Sequence, residues 1–237
     1  MYKIETISAL SDNYSYAIVN TNDNTAIIVD VPEFAPIERF LDINSLKLTD
    51  ILITHHHSDH IQGVDELVQK TGAKVHGNGD DKNRLPKLDN ELFAGNSYEI
   101  NGINFEILKS DGHTIGCISF YAKDLTAVFT GDLLFTMGAG RMFEGTADVF
   151  FESLQKIKAL PSKTMIYSGH EYTYANLEFA ETVIDIDHNY KAELMAKITS
   201  FKPTVPSCLS DEINNNPFLV ADTVDKFATY RKLKDNF

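Results

Sequence analysis

Short apolar stretches separated by turn-forming residues run through most of the chain. Within each stretch, apolar residues alternate with polar ones or run continuously, and β-branched and aromatic side chains are frequent, which is typical of strands. We therefore predict strands at 14–19, 26–30, 50–54, 73–76, 103–108, 118–122, 127–130 and 164–167.

A second pattern, in which apolar residues recur at helical spacing, interrupts these strands. The clearest example is 148–160, where Phe150, Leu154 and Ile157 share one face and Thr146 is placed to cap the N-terminus. Further helices are predicted at 35–41 and 64–71. Strands that dominate and helices that interrupt them favour an α+β fold in which helices cover sheets.

The pattern changes after residue 171 and becomes helical. Helices are predicted at 174–183 and 188–198, followed by a loop that contains Pro203, Pro206 and the asparagine run 214–216, and by a last helix that begins near Asp222. We therefore divide the chain into a sheet domain, 1–171, which carries the candidate chemistry, and a small helical domain, 172–237.

Charge and composition narrow the possible partners. The chain of 237 residues has 34 acidic and 21 basic residues and a net charge of -13, which disfavours nucleic acid as a partner. No apolar run is long enough to span a bilayer, and the first residues contain no apolar signal core. Two distant cysteines do not require a disulfide. We expect a cytoplasmic monomer with no membrane partner.

The strongest chemical signal is the segment 54–60, which directly follows an apolar strand. Side chains two positions apart in extended backbone point the same way, so His55 and His57 are placed to bind one ion. The chain then turns, which directs Asp59 and His60 to a second ion. Imidazole and carboxylate ligands suit zinc and also accept iron or manganese. The alternative is an exposed histidine-rich loop.

Three more polar residues, His113, Asp132 and His170, each follow an apolar strand and come directly after a glycine. Ligands collect at the carboxyl ends of strands, and glycine lets the chain turn tightly there. Taken singly, each histidine could be a hydrogen-bonded core residue and the aspartate could cap a helix or turn. Together with 54–60 they favour one shared metal centre.

This set of residues resembles the ligand pattern of the metallo-β-lactamase superfamily, H-x-H-x-D-H followed by a distant histidine, an aspartate and a last histidine. The resemblance implies an αββα sandwich with a small C-terminal all-helical domain. It also implies that His55, His57 and His113 bind a first metal and that Asp59, His60 and His170 bind a second. Asp132 would bridge both metals, and Asp59 and Asp132 would be catalytic through a metal-bridging hydroxide. His56 would have a supporting or structural role, and His76 and His188 match no motif position.

Further motifs narrow the resemblance to glyoxalase II, the hydroxyacylglutathione hydrolases. They lie at 12–16, 54–60, 131–135, 143–147, 169–173, 216–218 and 231–235. That family hydrolyses the thioester of S-(2-hydroxyacyl)glutathione, typically S-D-lactoylglutathione, to glutathione and D-lactate in methylglyoxal detoxification. The resemblance implies two divalent metal ions and a substrate-binding set made of Arg141, Tyr172, Arg231 and Lys234. Alternatively, the two C-terminal cations complement a helix dipole and the tyrosine only packs.

A few positions depart from the family pattern. Asp111-Gly112 stands where Thr-Pro-Gly often precedes the histidine, Phe143 where some members have a substrate-contacting tyrosine, and Val220 where many have an arginine. Two other functions remain as alternatives. The chain could be a glutathione persulfide dioxygenase that uses one iron, or a metal-binding module without catalytic activity. The absence of a signal core disfavours a β-lactamase.

Overall fold

The protein is described by a computed structural model that covers residues 1–237. The chain forms two compact units. The first, called the N-terminal unit, comprises Met1–Lys109 and Gly116–Leu125. The second, called the C-terminal unit, comprises Ser110–Ile115 and Thr126–Phe237.

The N-terminal unit is built on a mixed six-stranded sheet whose strands lie in chain order. They are β1 (Tyr2–Ala9), β2 (Asn13–Asn20), β3 (Thr25–Val29), β4 (Lys47–Leu52), β5 (Lys74–Asn78) and β6 (Asn90–Leu92). The first three strands pair antiparallel, and β3 to β6 pair parallel. Because parallel neighbours end at the same edge, the segments after β3 and β4 emerge together.

Helices α1 (Phe34–Ile43), α2 (Ser58–Ile61) and α3 (Val64–Thr71) belong to the same unit. Ile37 and Leu41 of α1 and Val64 and Leu67 of α3 are buried in one apolar cluster with strand residues such as Ile51. Their spacing places the apolar side chains of each helix on one face, which explains why both helices form.

An antiparallel meander completes the N-terminal unit. It consists of β7 (Ser97–Ile100), β8 (Ile103–Lys109) and β9 (Ile118–Ala122). Asn101 and Gly102 turn β7 into β8 with φ values of +47° and +76°, as a tight hairpin turn requires.

The C-terminal unit has five strands, β10 (Ala127–Gly131), β11 (Leu134–Phe135), β12 (Gly138–Ala139), β13 (Met165–Ser168) and β14 (Ser207–Cys208). Strands β10 and β13 are parallel neighbours, β14 pairs antiparallel with β13, and β11 and β12 form a short hairpin. The pairing aligns Gly131 with Ser168. The residues that follow these two strands therefore leave the sheet at the same edge.

Six helices accompany these strands: α4 (Ala147–Lys158), α5 (Thr173–Ala180), α6 (His188–Thr199), α7 (Leu209–Asn215), α8 (Pro217–Val220) and α9 (Val224–Asp235). Aromatic rings join several of them, since Phe227 of α9 lies 5.2 Å from Phe150 of α4 and 5.9 Å from Phe218 of α8, centroid to centroid. None of the helices in the molecule is both long and apolar enough to cross a bilayer.

The predicted strands and helices are confirmed, most with ends shifted by a few residues, and Thr146 is the N-cap of α4. The expected loop at the asparagine run is wrong, because Asn214 and Asn215 lie in α7 and Asn216 caps α8. The C-terminal stretch is helical apart from the two-residue strand β14. The α+β class is confirmed, while the division at residue 171 stays a prediction.

Candidate metal centre

The segment 54–60 places three imidazole rings close together within the N-terminal unit. It follows β4, and His57 is the N-cap of α2 with extended backbone. The ring centroid of His55 lies 4.8 Å from that of His57 and 4.2 Å from that of His60. His55 and His60 are buried. The expected convergence of these histidines is therefore found.

A buried carboxylate behind the segment orients His60. Asp30, just after β3, has Oδ2 2.8 Å from His60 Nδ1, and it accepts hydrogen bonds from the Thr54 hydroxyl and backbone N–H at 2.7 and 2.8 Å. Because Nδ1 is held by this carboxylate, Nε2 is the ring nitrogen that a metal would take. Asp30 is not among the predicted site residues, although it follows an apolar strand as Asp132 does.

Asp59 is held by the start of β2. Asn13 Nδ2 donates to the backbone oxygen of Asp59 at 3.0 Å and to its Oδ2 at 3.1 Å, and Asp59 Oδ2 lies 3.8 Å from His60 Nε2. Asn13 was noted only as part of a motif. Its function as a support for Asp59 could not be recognised from spacing, because 46 positions separate the two residues.

The C-terminal unit brings together the other three candidates. Asp132 follows β10, His170 follows β13, and the backbone N–H of Gly169 donates to Gly131 at 2.9 Å. Asp132 Oδ2 lies 3.3 Å from His170 Nε2 and 3.5 Å from His113 Nε2. All three side chains are buried. The three residues predicted from their strand-end positions therefore meet at one carboxylate oxygen of Asp132.

The loop that carries His113 is fixed on both sides. His113 Nδ1 donates to the backbone oxygen of Arg141 at 2.8 Å, which leaves Nε2 for a metal. Gly112 has φ +139°, and a Cβ there would lie 2.5 Å from the ring of Phe150. Ser153 Oγ donates to the backbone oxygen of Asp111 at 2.7 Å. The departure from Thr-Pro-Gly thus leaves a tightly packed loop.

The expected substrate-binding residues lie in different surroundings. Arg141 is exposed, and Tyr172 stacks on His170 with centroids 4.7 Å apart. The Arg231 guanidinium is buried, and its Nη1 donates to the backbone oxygens of Ala139 and Gly140 at 2.8 and 3.1 Å. Arg231 therefore contacts the segment that leads into Arg141.

Lys234 lies one turn further along α9. Its ammonium group donates to the backbone oxygen of Ala175 at 2.6 Å and lies 5.3 Å from the centroid of Phe179. Burial, with the nearby Arg231 cation, lowers the pKa of Lys234 to about 8. This lysine is thus partly deprotonated in mildly alkaline solution.

The remaining histidines near the motif have other partners. His56 Nδ1 lies 3.4 Å from Asp81 Oδ2, and Arg84 lies 3.4 Å from His56 Nε2. His76 Nε2 contacts Asp50 at 2.8 Å. These contacts agree with a structural function for both residues.

The donor chemistry fits first-row divalent ions. Each unit offers imidazole nitrogens and at least one carboxylate, and His60 and His113 each have one ring nitrogen held by an oxygen acceptor. Such partners fix the tautomer and the orientation of metal-binding histidines. Imidazole with carboxylate suits zinc, iron and manganese alike.

Two family models match the chain and together cover residues 10–237. The metallo-β-lactamase superfamily model matches residues 10–170, and the model for the hydroxyacylglutathione hydrolase C-terminus matches residues 171–237. The first match includes all seven proposed metal ligands, and the second includes α9, which contains Arg231 and Lys234.

Curated relatives resemble the chain over nearly its whole length. A hydroxyacylglutathione hydrolase of Roseobacter denitrificans is 44% identical over 224 residues, which cover 92% of this chain and 87% of the relative. A hydroxyacylglutathione hydrolase of Pelagibacter ubique is 42% identical over 240 residues, covering 99% of this chain and 100% of the relative.

Solved structures show the same fold at low sequence identity. The BLEG-1 B3 metallo-β-lactamase aligns with a TM-score of 0.74 and 21% identity, covering 92% of this chain and all of that one. ETHE1 from Myxococcus xanthus aligns with a TM-score of 0.74 and 24% identity, covering 98% and 90%. The fold is the metallo-β-lactamase fold, and with the full-length relatives and the matched C-terminus the chain belongs to the hydroxyacylglutathione hydrolase family of that superfamily.

Proposed function

We propose that this chain hydrolyses the thioester of S-(2-hydroxyacyl)glutathione, typically S-D-lactoylglutathione, to glutathione and a 2-hydroxy acid such as D-lactate. This would be the second step of methylglyoxal detoxification. The observation that carries the proposal is the match of residues 171–237 to the hydroxyacylglutathione hydrolase C-terminus. Full-length relatives of that name support it.

The proposed metal ligands are the seven residues that the family pattern selects. His55, His57 and His113 would bind a first divalent ion, Asp59, His60 and His170 a second, and Asp132 both. Asp132 Oδ2 lies within 3.5 Å of two of the histidines, which supports its assignment as the shared ligand. Zinc is the proposed metal, and iron or manganese would suit the same donors. When bound, such ions polarise a carbonyl and lower the pKa of water.

The protein's own contribution is to orient these groups. Asp30 fixes the ring of His60, the backbone oxygen of Arg141 fixes the ring of His113, and Asn13 fixes Asp59. Groups that are held before the substrate arrives need no reorganisation during the reaction. The buried surroundings of Asp132, His113 and His170 also keep bulk water away from the developing charge.

Binding of the glutathione part is assigned to Arg141, Tyr172, Arg231 and Lys234. Glutathione has two carboxylates, so a chain with a net charge of -13 needs local cations to bind it. Arg141 is exposed and Tyr172 is 39% exposed, so both are available to a ligand. Arg231 would act by fixing the backbone before Arg141. Phe143 is 63% exposed and offers an apolar surface where some family members have a tyrosine hydroxyl.

The direct test combines metal analysis with two assays on the same purified protein. Protein that contains two zinc ions per chain is given S-D-lactoylglutathione, and release of free thiol and D-lactate is followed. We expect both products in equal amounts. Oxygen uptake with glutathione persulfide is measured in parallel. Full metal loading without thiol release would contradict the proposal. If the purified protein instead contains one iron per chain and takes up oxygen with glutathione persulfide, that result would support the dioxygenase alternative. The cytoplasmic location and the monomeric state stay predictions.

A further inference from the structure

The backbone of residues 134–140, here called the 134–140 hairpin, lies directly against two proposed metal ligands. It comprises β11, β12 and the turn between them, followed by Gly140. A Cβ at Gly140 would lie 1.9 Å from the backbone oxygen of Asp132 and 3.0 Å from His113 Nδ1. The next residue, Arg141, accepts the hydrogen bond from His113. A shift of this hairpin would therefore move both His113 and Asp132.

Glu212 of α7 holds the turn of the 134–140 hairpin from inside the unit. This side chain is fully buried. Its Oε2 accepts hydrogen bonds from the backbone N–H of Met137 and from Asn216 Nδ2, both at 2.9 Å, and its Oε1 accepts one from the Tyr190 hydroxyl at 2.7 Å. Met137 has φ +61°, a conformation that a non-glycine residue seldom adopts without support.

Asn216 binds the two strands of the same hairpin. Its Nδ2 donates to the backbone oxygens of Phe135 and Gly138 at 3.1 and 3.0 Å, and its Oδ1 accepts from Phe218 at the start of α8. The side chain is fully buried. The two amide hydrogens are thus shared among the two hairpin carbonyls and Glu212, and the amide oxygen caps α8.

Two further side chains complete the contacts. Asn176 of α5 donates to the backbone oxygen of Thr136 at 3.1 Å, and Arg231 of α9 donates to those of Ala139 and Gly140. Each residue from 135 to 140 is thus hydrogen-bonded through its backbone to a side chain of the helical region. Buried polar groups are costly unless they are paired. Such a complete set specifies one position for the hairpin.

We propose that Glu212 and Asn216 are positioning residues that hold the 134–140 hairpin, and through it Asp132 and His113, in the arrangement that binds metal. The inference rests on the proposed metal-dependent function. A positioning role differs from a purely structural role in one measurable respect. Loss of these side chains lowers metal affinity, whereas loss of an equally buried neighbour that does not touch the hairpin lowers only stability.

The chain offers a matched control for Asn216 in Asn215. Both asparagines are buried, but Asn215 Oδ1 accepts from the backbone N–H of Asp187 at 2.7 Å and Asn215 Nδ2 donates to the backbone oxygen of Asp211. The test compares Asn216→Ser with Asn215→Ser. Serine keeps a capping oxygen before α8 and removes the amide donors. Zinc affinity is measured by competition with a coloured chelator, and thermal unfolding is recorded without metal.

We expect Asn216→Ser to lower zinc affinity about 10–100-fold, the usual effect of removing a support for a metal ligand. Asn215→Ser should bind zinc as the wild type does, even though it unfolds at a lower temperature. Glu212→Ala should resemble Asn216→Ser, and Glu212→Gln, which retains an oxygen for the Met137 N–H, should regain most of the affinity. Equal zinc affinity in Asn216→Ser and the wild type would overturn the inference, as would an equal loss in Asn215→Ser.

Asn176→Ser provides the second variant if Asn216→Ser and Glu212→Ala do not fold. It removes one bond to the hairpin, and Asn215→Ser, which changes an equally buried asparagine that does not contact the hairpin, is again the control. A smaller loss of zinc affinity is expected in Asn176→Ser alone, and wild-type affinity there would refute the inference. Wild-type protein that binds zinc but does not cleave thioesters would refute the proposed function and leave this inference standing.

Discussion

At the scale of single residues, the proposed ligands are held in place by hydrogen bonds to other residues of the protein. His60 and His113 are each held through Nδ1, and Asp59 is held by Asn13. Only the ligands themselves have a spacing that a sequence reveals. Of their partners, Asp30 is a polar residue at a strand end with ordinary surroundings in the sequence, and Asn13 lies in the motif at 12–16, which does not reveal its contact with Asp59.

Asp132→Ala should remove the carboxylate that His113 and His170 share and so disturb both metals. We expect purified Asp132→Ala to contain less than two zinc ions per chain and to show no thioester hydrolysis. Zinc content is measured by emission spectrometry, and hydrolysis is measured by the release of free thiol. Asp148→Ala, which removes an exposed carboxylate at the start of α4, is the control and should keep both. Full zinc loading in Asp132→Ala would contradict the shared-ligand assignment.

Lys234 should give substrate binding a dependence on pH. Burial and the cations of Arg231 and Arg141 lower its pKa to about 8, against the opposing effect of Glu178. The ammonium group is therefore lost as pH rises through 8, and KM for lactoylglutathione should increase there. Deprotonation of a lysine whose folded pKa lies below its ordinary value favours the folded state as pH rises, so unfolding does not explain the change.

Lys234→Arg is the matched variant for this prediction. An arginine stays charged throughout the pH range of the assay. Steady-state kinetics between pH 7 and pH 9.5 should show a rise in KM for the wild type and a flatter profile for Lys234→Arg, with kcat little affected in either. A wild-type KM that is constant across pH 8 would show that the Lys234 charge does not bind substrate.

At the scale of helices and strands, most of the fold could be predicted because its apolar pattern is regular. Helix α3 is predicted at its observed bounds since Gly72, with φ +69°, ends it, and β9 has apolar residues at four of its five positions. The strands β6, β7, β11, β12 and β14 were missed, because two to four residues are too few to show a period. The eight-residue strand β1 is also absent from the predicted set. The asparagine run predicts a loop because asparagine is frequent in turns, but α7 forms there, and Asn215 and Asn216 make buried hydrogen bonds.

Substitution of a glycine in the loop between β8 and β9 should lower both stability and zinc content. Gly112→Ala would place a Cβ 2.5 Å from the Phe150 ring at φ +139°. Gly72 also has positive φ, but a Cβ there meets no atom within 4 Å. Gly72→Ala should cost about 1 kcal/mol of stability from backbone strain alone, and Gly112→Ala should cost more and also lower zinc content through His113. Thermal melts and metal analysis measure both, and equal melting temperatures would contradict the packing described.

At the scale of the whole molecule, the family predicted from the sequence is confirmed, and the seven-residue ligand set stays a prediction. The side chains that support the proposed ligands were not predicted. The contacts from Glu212 and Asn216 to the 134–140 hairpin span about 75 to 81 positions in the chain. No local spacing encodes contacts at such separation. The net charge of -13 disfavours nucleic acid as a partner but does not identify a substrate. The family match of residues 171–237 is what suggests the substrate.

Metal removal should lower the stability of the whole protein. An ion that binds only the folded state stabilises it by about 2.7 kcal/mol when its free concentration is 100 times Kd. In a domain of this size that corresponds to a rise of about 5–10 °C in Tm. Calorimetry of the metal-free protein with and without zinc tests this expectation, and an unchanged Tm would show that zinc does not bind the native fold.

Under the proposed function, thioester cleavage requires two metal ions held by the seven proposed ligands. The most direct measurement is a titration of metal-free protein with zinc while hydrolysis of S-D-lactoylglutathione is followed. We expect activity that rises to a plateau at two equivalents of zinc per chain. A plateau at one equivalent, or hydrolysis that does not depend on added metal, would contradict it.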